Sequence, residues 1–103
     1  MWPFRRPKSQ AHKVIEIKEA AIAFSAEKWT YFCQVLKFKS EVPLRDQIQA
    51  FLVPLEEGLK NNFPVLRDSP SAITLLFAMK GIEKSGLHSR QEIEDALGIE
   101  IPD

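Results

Sequence analysis

The chain has 103 residues, 45% of them hydrophobic and 27% charged, which fits one folded domain and argues against wholesale disorder. Its 14 basic and 14 acidic side chains cancel, so the molecule as a whole is not expected to bind nucleic acid electrostatically. It has a single cysteine, Cys33, and no apolar run near the roughly 18–20 residues that span a bilayer. Both features indicate a cytoplasmic protein.

Residues 1–12 are predicted to form a flexible tail in front of a single domain that covers residues 13–103. Two prolines interrupt this segment, and little in it can pack against a core. It combines aromatic side chains suited to an interface with a basic cluster: Trp2, Phe4, Arg5, Arg6 and Lys8. Such a combination favours weak contact with an anionic membrane surface, or docking in an acidic groove of a protein.

Residues 13–39 permit two interpretations. The stretch VIEIKE at positions 14–19 alternates apolar and charged residues, which is typical of a short strand. Further on, four side chains share one helical face at the spacing i, i+3, i+4 and i+7: Trp29, Phe32, Cys33 and Leu36. A neighbouring stripe contains Tyr31, Val35 and Phe38. We predict a helix for most of residues 18–38.

The next segment has the periodicity of an amphipathic helix. Its apolar side chains recur at intervals that place them on one face: Leu44, Ile48, Phe51, Leu52, Leu55 and Leu59. Pro43 suits the first turn, where its missing N–H costs no helical hydrogen bond. Pro54 lies inside the pattern, so a kink or two shorter helices are expected there.

A third helix is predicted over residues 71–84. Ser69 suits the N-cap position and Pro70 the first helical position, and Gly86 suits the C-terminal end. The segment is apolar around most of its circumference. That pattern is typical of a helix at the centre of a bundle.

A last short helix is predicted from Ser89, because Ser89 and Glu92 have the spacing of a capping box. Its inward residues are expected to be Ile93, Ala96 and Leu97, and Gly98 closes it. After it, Ile99, Ile101 and Pro102 are expected to pack back as an extended tail. Together the segments predict an all-α fold, a small compact bundle of about four helices. The alternative is an α+β fold with a short strand near residues 13–19.

The sequence contains no catalytic, cofactor-binding or metal-binding signature. Its histidines, His12 and His88, are isolated from Cys33, and neither CxxC nor HExxH occurs. Cys33 lies on the predicted core face, where cysteines act as small hydrophobic residues. The glycines are scattered rather than grouped as a phosphate-binding loop, and the acidic pairs suit a solvated surface. We therefore expect no enzyme, no cofactor and no metal.

Two partial resemblances concern the C-terminal third. The run SRQEIEDALGI is similar to the supporting helix of a helix-turn-helix protein, but no recognition helix follows and its acidic residues would be repelled by phosphates. Asp68–Ser69 and the ending GIEIPD resemble pieces of an acyl carrier protein, whose serine carries a phosphopantetheine arm. Here Pro70 replaces the leucine of that motif, and a helix N-cap explains Ser69 more simply.

The sequence favours a small helical protein-interaction module, that is, an adaptor, a regulator or an assembly subunit. Residues 29–38 and 71–82 hold more apolar side chains than one small core encloses, so part of them is expected at the surface. A protein partner or self-association is expected. One alternative is a peripheral membrane protein that uses the N-terminal tail. The other is a nucleic-acid-associated regulator, although nucleic acid is not an expected partner.

Overall fold

A computed structural model of the protein describes residues 6–37 and 41–102, with the side chains of residues 16–37 and 41–102. These residues form four α-helices: α1 (Arg6–Leu36), α2 (Leu44–Asn62), α3 (Ser71–Ser85) and α4 (Arg90–Leu97). A 3₁₀ turn, Pro64–Leu66, connects α2 to α3. The predicted all-α bundle is confirmed.

The strand considered for residues 13–19 is wrong, because these residues belong to α1. The segment is followed directly by strong helix formers, including Ala20, Ala21 and Ala23. Extending an existing helix by one residue is far cheaper than starting a new element. The helix therefore continues through the alternating stretch.

Helix α1 begins at Arg6, earlier than the predicted domain boundary, so the backbone of residues 6–12 is helical. Pro7 lies in the first turn, where N–H groups have no intrahelical acceptor. Of the predicted interaction tail, Trp2, Phe4 and Arg5 lie outside the described residues. Arg6 and Lys8 lie in α1, but their side chains are outside the described part. The flexibility of residues 1–12 stays a prediction.

Helices α1 and α3 run parallel to each other and pack very closely. A Cβ atom added at Gly81 would lie 2.5 Å from the Ser25 Cβ and 2.9 Å from the Ala26 backbone nitrogen. Ser25 is completely buried, and its hydroxyl donates a hydrogen bond to the Ala21 carbonyl at 2.8 Å. Small side chains thus allow the two helix backbones to approach each other.

The core lies where α1, α2 and α3 meet, and Trp29 is its largest fully buried side chain. Helix α2 runs antiparallel to α1, since Phe51 contacts the Trp29 ring while Gly58 lies against Phe24. Helix α3 packs against the three other helices, as expected for a central helix. Its buried residues are Thr74, Phe77, Ala78, Met79, Gly81 and Ile82.

Helix α2 is continuous through Pro54, so the two shorter helices considered there are wrong, while the kink stays a prediction. The buried side chains Phe51 and Leu55 flank the proline, and their packing outweighs the loss of one backbone hydrogen bond. Pro43 and Pro70 are not the first residues of their helices. Each occupies the N-cap position with an extended backbone, and Ile73 N–H donates to the Pro70 carbonyl at 2.9 Å. Ser69 is therefore not the cap of α3.

The capping box of α4 is confirmed in both directions. The Glu92 N–H donates to Ser89 Oγ at 3.1 Å, and the Ser89 N–H donates to Glu92 Oε1 at 2.9 Å. Gly86 and Gly98 end α3 and α4 with φ angles of 79° and 71°, in the left-handed region. Ile93, on the inner face of α4, is fully buried.

The segment after α4 packs back only in part. Ile101 is buried, and its N–H donates to Glu94 Oε2 at 2.8 Å. Lys80 Nζ donates to the Pro102 carbonyl at 2.6 Å. Ile99, which was expected to pack inward, is 42% exposed.

Candidate functional site

An apolar groove of about 320 Å³ lies between α1 and α2; we call it the α1–α2 groove. One wall consists of Phe24, Lys28, Tyr31 and Val35 from α1. The other includes Phe51, Leu55, Gly58 and Asn62 from α2. Both sets have the spacing i, i+4, i+7 and i+11, which keeps each set on one face of its helix.

Aromatic rings form one end of the groove. The Phe51 ring lies 5.2 Å from the Phe32 ring and 5.1 Å from the Trp29 ring, measured between centroids. The Trp29 and Phe51 planes are inclined by 69°, an edge-to-face geometry that is favourable for aromatic pairs. Because Trp29 and Phe51 are buried in the core, this end of the groove has a rigid floor.

Gly58 keeps the other end of the groove open. A Cβ atom there would lie 3.1 Å from the end of the Phe24 ring. The Phe24 ring also makes an edge-to-face contact with Phe63, with centroids 5.7 Å apart. The Phe24 ring of α1 is thus held against the C-terminal end of α2.

Apolar side chains stand exposed along the α1 edge of the groove. Tyr31 is 64% exposed, Val35 57% and Leu36 50%. They follow one another within six residues and form a continuous surface with the aromatic floor. Clustered exposed apolar side chains of this kind mark interaction surfaces more often than isolated ones do.

Among the residues that the structure describes, Lys28 is the only charged one that lines the groove. Its Nζ lies 5.3 Å from the centroid of the Phe24 ring, within cation–π range. The α2 edge contributes Pro54 and Asn62, both exposed and uncharged. The groove is therefore apolar with one positive charge at its rim.

Part of this surface was predicted. The apolar surplus expected in residues 29–38 does reach the surface, at Tyr31, Val35 and Leu36, while Phe38 lies outside the described residues. Sequence reasoning did not identify Phe24 or Gly58 as lining residues. Phe24, Lys28, Tyr31 and Val35 do form a helical stripe, which was a usable signal for the α1 wall.

The other residues considered for catalysis or metal binding have structural roles in the described part of the chain. Burial raises the pKa of the Cys33 thiol, which favours the unreactive protonated form. His88 packs against the Trp29 ring at 5.8 Å, and its Nδ1 lies 3.9 Å from Glu92 Oε2. Among the side chains at 16–37 and 41–102, no group of three or more histidine, cysteine or acidic residues is arranged to hold a metal ion.

Comparisons with protein-family models, with curated proteins and with solved structures find no match to this chain. Within the described residues, no helix has both the length and the apolar character that spanning a bilayer requires.

Proposed function

We propose that the protein is a small helical interaction module that binds one amphipathic α-helix of a partner protein in the α1–α2 groove. The observation that carries the proposal is the pair of matching stripes with exposed Tyr31 and Val35 at their edge. This role fits an adaptor, a regulator or an assembly subunit. A cytoplasmic location is part of the proposal, since a lone, partly buried cysteine suits a reducing compartment.

The geometry of the walls favours a helix as the occupant. From Phe24 to Val35 the α1 wall extends over eleven residue steps, about 17 Å, or three helical turns. Helix α3 already packs against both α1 and α2, and none of the groove's lining residues comes from α3. A bound helix would pack on the α1–α2 pair as α3 does, with side-chain ridges of one helix in grooves of the others.

The charge of the rim constrains the sequence of the partner. Lys28 would lie beside the bound helix, and none of the described lining residues is acidic. An acidic residue at the edge of the partner's apolar stripe would pair with Lys28. Such a rim pair contributes more to specificity than to affinity.

Peptide selection tests the proposal directly. A displayed library of three-turn amphipathic peptides is selected on the wild-type protein, and binding of the selected peptides is measured by fluorescence polarisation. Val35→Asp is expected to weaken binding about tenfold or more, because it places a charge in the apolar contact. Lys28→Glu should change the preference from acidic to basic peptides.

Val53→Asp is the matched control, since Val53 is 72% exposed, lies on α2 and does not line the groove. It should bind the selected peptides as the wild type does. Failure to select any helical peptide would overturn the proposal. So would equal binding by the wild type and by Val35→Asp. A selected peptide that copies a helix of this chain would identify the partner as a second copy.

A further inference from the structure

The outer side of α1 carries a row of side chains with the spacing of a helix that pairs with another helix. The steps between them are alternately three and four residues: Ile17, Ala20, Phe24, Glu27, Tyr31 and Gln34. This average spacing of about 3.5 residues keeps the row on one side of the helix and is typical of a coiled-coil contact. None of the six side chains is buried. We call these six residues the α1 seam.

The α1 seam has the features that the α1–α2 groove requires of a bound helix. The groove requires an apolar stripe with an acidic residue beside it, because Lys28 lies at its rim. In the seam, the exposed Glu27 lies between Phe24 and Tyr31. Neither Glu27 nor Lys28 forms a salt bridge with another side chain that the structure describes. Both charges are therefore available to a second chain.

The order of these two charges determines the direction in which two α1 helices can pair. In a parallel pair in register, Glu27 would lie beside Glu27 and Lys28 beside Lys28, so like charges would repel each other. In an antiparallel pair whose two-fold axis passes between positions 27 and 28, Glu27 of each copy lies beside Lys28 of the other. The charges thus favour the antiparallel pair and fix its register.

The same two-fold axis brings apolar side chains of suitable size together. Phe24 of each copy lies opposite Tyr31 of the other, which gives two aromatic pairs. The exposed Ala20 lies opposite Val35, which is 57% exposed, so a small side chain meets a larger one. From Ala20 to Val35 the contact extends over fifteen residue steps, about 22 Å, or four helical turns.

We propose that the helix bound in the α1–α2 groove is α1 of a second copy of this chain, in an antiparallel, two-fold symmetric dimer. The inference rests on the proposed function, because it names the helix that the groove binds. In such a dimer the α1–α2 pairs of the two copies form a four-helix arrangement. A single association therefore covers the exposed apolar edge of both grooves.

Charge reversal tests the dimer and its register. The mass of the full chain is measured by sedimentation equilibrium over about a hundredfold range of concentration, and we expect a monomer–dimer equilibrium. Glu27→Lys and Lys28→Glu should each raise the dimer Kd about tenfold, because each places like charges side by side at two symmetric positions. The variant with both substitutions should dimerise as the wild type does, because both pairs form again with reversed charges.

Val35→Asp should also raise the dimer Kd about tenfold or more, since it places a charge opposite Ala20. Val53→Asp is again the matched control and should dimerise as the wild type does. A wild type that is monomeric at every concentration would overturn the dimer. The proposed register would be overturned if the variant with both charge reversals stayed as weak as the single ones. Equal dimerisation by Val35→Asp and the wild type would place the contact on another surface.

The dimer and the helix-binding function can fail separately. Peptide binding is measured with the protein diluted below the Kd of the dimer, where the groove is free. A monomeric wild type that binds the selected peptides overturns only the dimer. A wild type that is monomeric and also binds no helical peptide overturns both.

Discussion

At the scale of single residues, two glycines in neighbouring helices have different structural roles. Gly81 faces the backbone of α1, where a Cβ would lie 2.9 Å from backbone atoms of Ser25 and Ala26. Gly58 faces only the end of the Phe24 side chain, 3.1 Å away. A backbone cannot move without shifting a whole helix, whereas an aromatic ring can rotate. The two positions should therefore respond differently to the same substitution.

Gly81→Ala should lower the free energy of unfolding. Overpacking costs about 1–3 kcal/mol, and the better helix propensity of alanine returns about 1 kcal/mol. Gly58→Ala should leave stability within about 1 kcal/mol of the wild type, because the Phe24 ring can shift. Urea unfolding of both variants measures the difference. Equal effects at the two positions would contradict the close α1–α3 packing.

Glu92 makes the stability of the protein depend on pH. The hydrogen bond from the Ser89 backbone N–H is the main cause that lowers the pKa of the Glu92 carboxyl, and the Ser89 side chain and His88 lower the pKa further. Because the folded-state pKa is below the unfolded one, the carboxylate stabilises the fold at neutral pH. This stabilisation should disappear as the pH falls from about 5 through the folded-state pKa.

Glu92→Gln is the matched control, since its amide oxygen still accepts from the Ser89 N–H but carries no charge. Urea unfolding of the wild type and of this variant should differ at neutral pH and converge at low pH. A difference in stability between the two proteins that does not vary with pH would show that the charge of Glu92 does not stabilise the fold.

At the scale of elements, α2 contains a proline in its interior. Pro54 has no N–H, so the Ala50 carbonyl loses its usual helical donor. Pro54→Ala should raise the free energy of unfolding by up to about 3 kcal/mol, visible as a higher Tm in thermal denaturation. Pro43→Ala should change little, because Pro43 is at an N-cap with extended backbone. A lower Tm for Pro54→Ala would show that the ring contributes packing that alanine cannot replace.

Helix ends that are marked by nearby residues could be predicted from the sequence. Features that depend on contacts between helices could be predicted less well. The capping box of Ser89 and Glu92 and the glycine at 86 predicted both ends of the α3–α4 turn, because these signals act within four residues. The continuity of α2 through Pro54 depends on Phe51 and Leu55 contacting other helices. The amphipathic pattern of α2 places Phe51 and Leu55 on one apolar face, but it does not show that their packing outweighs the cost of the proline.

The candidate site shows the same division. The stripe of Tyr31 and Val35 was recognisable as a second apolar face of a helix. The opposite wall was not, since Phe51 and Leu55 were placed only on the apolar face of their own helix and Gly58 carries no apolar signal. A groove exists only once two helices are placed side by side, and their relative rotation is a tertiary property.

At the scale of the whole molecule, two exposed valines separate binding from folding. Val35 lies on the α1–α2 groove and Val53 lies outside it. Each is more than half exposed, so an aspartate at either position should cost little stability. A difference in peptide binding between the two variants therefore reports on the groove rather than on folding.

The parallel packing of α1 against α3 also has a consequence for how the chain folds. Ser25 and Gly81 are in close contact but 56 positions apart in the sequence, a long separation for a helical protein. At a synthesis rate of roughly 5–20 residues per second, about 3–11 s pass between the addition of Ser25 and that of Gly81. Until then the face of α1 around Ser25 has no α3 to cover it. The nascent chain thus passes through an interval in which this face of α1 is open to chaperones or to premature association.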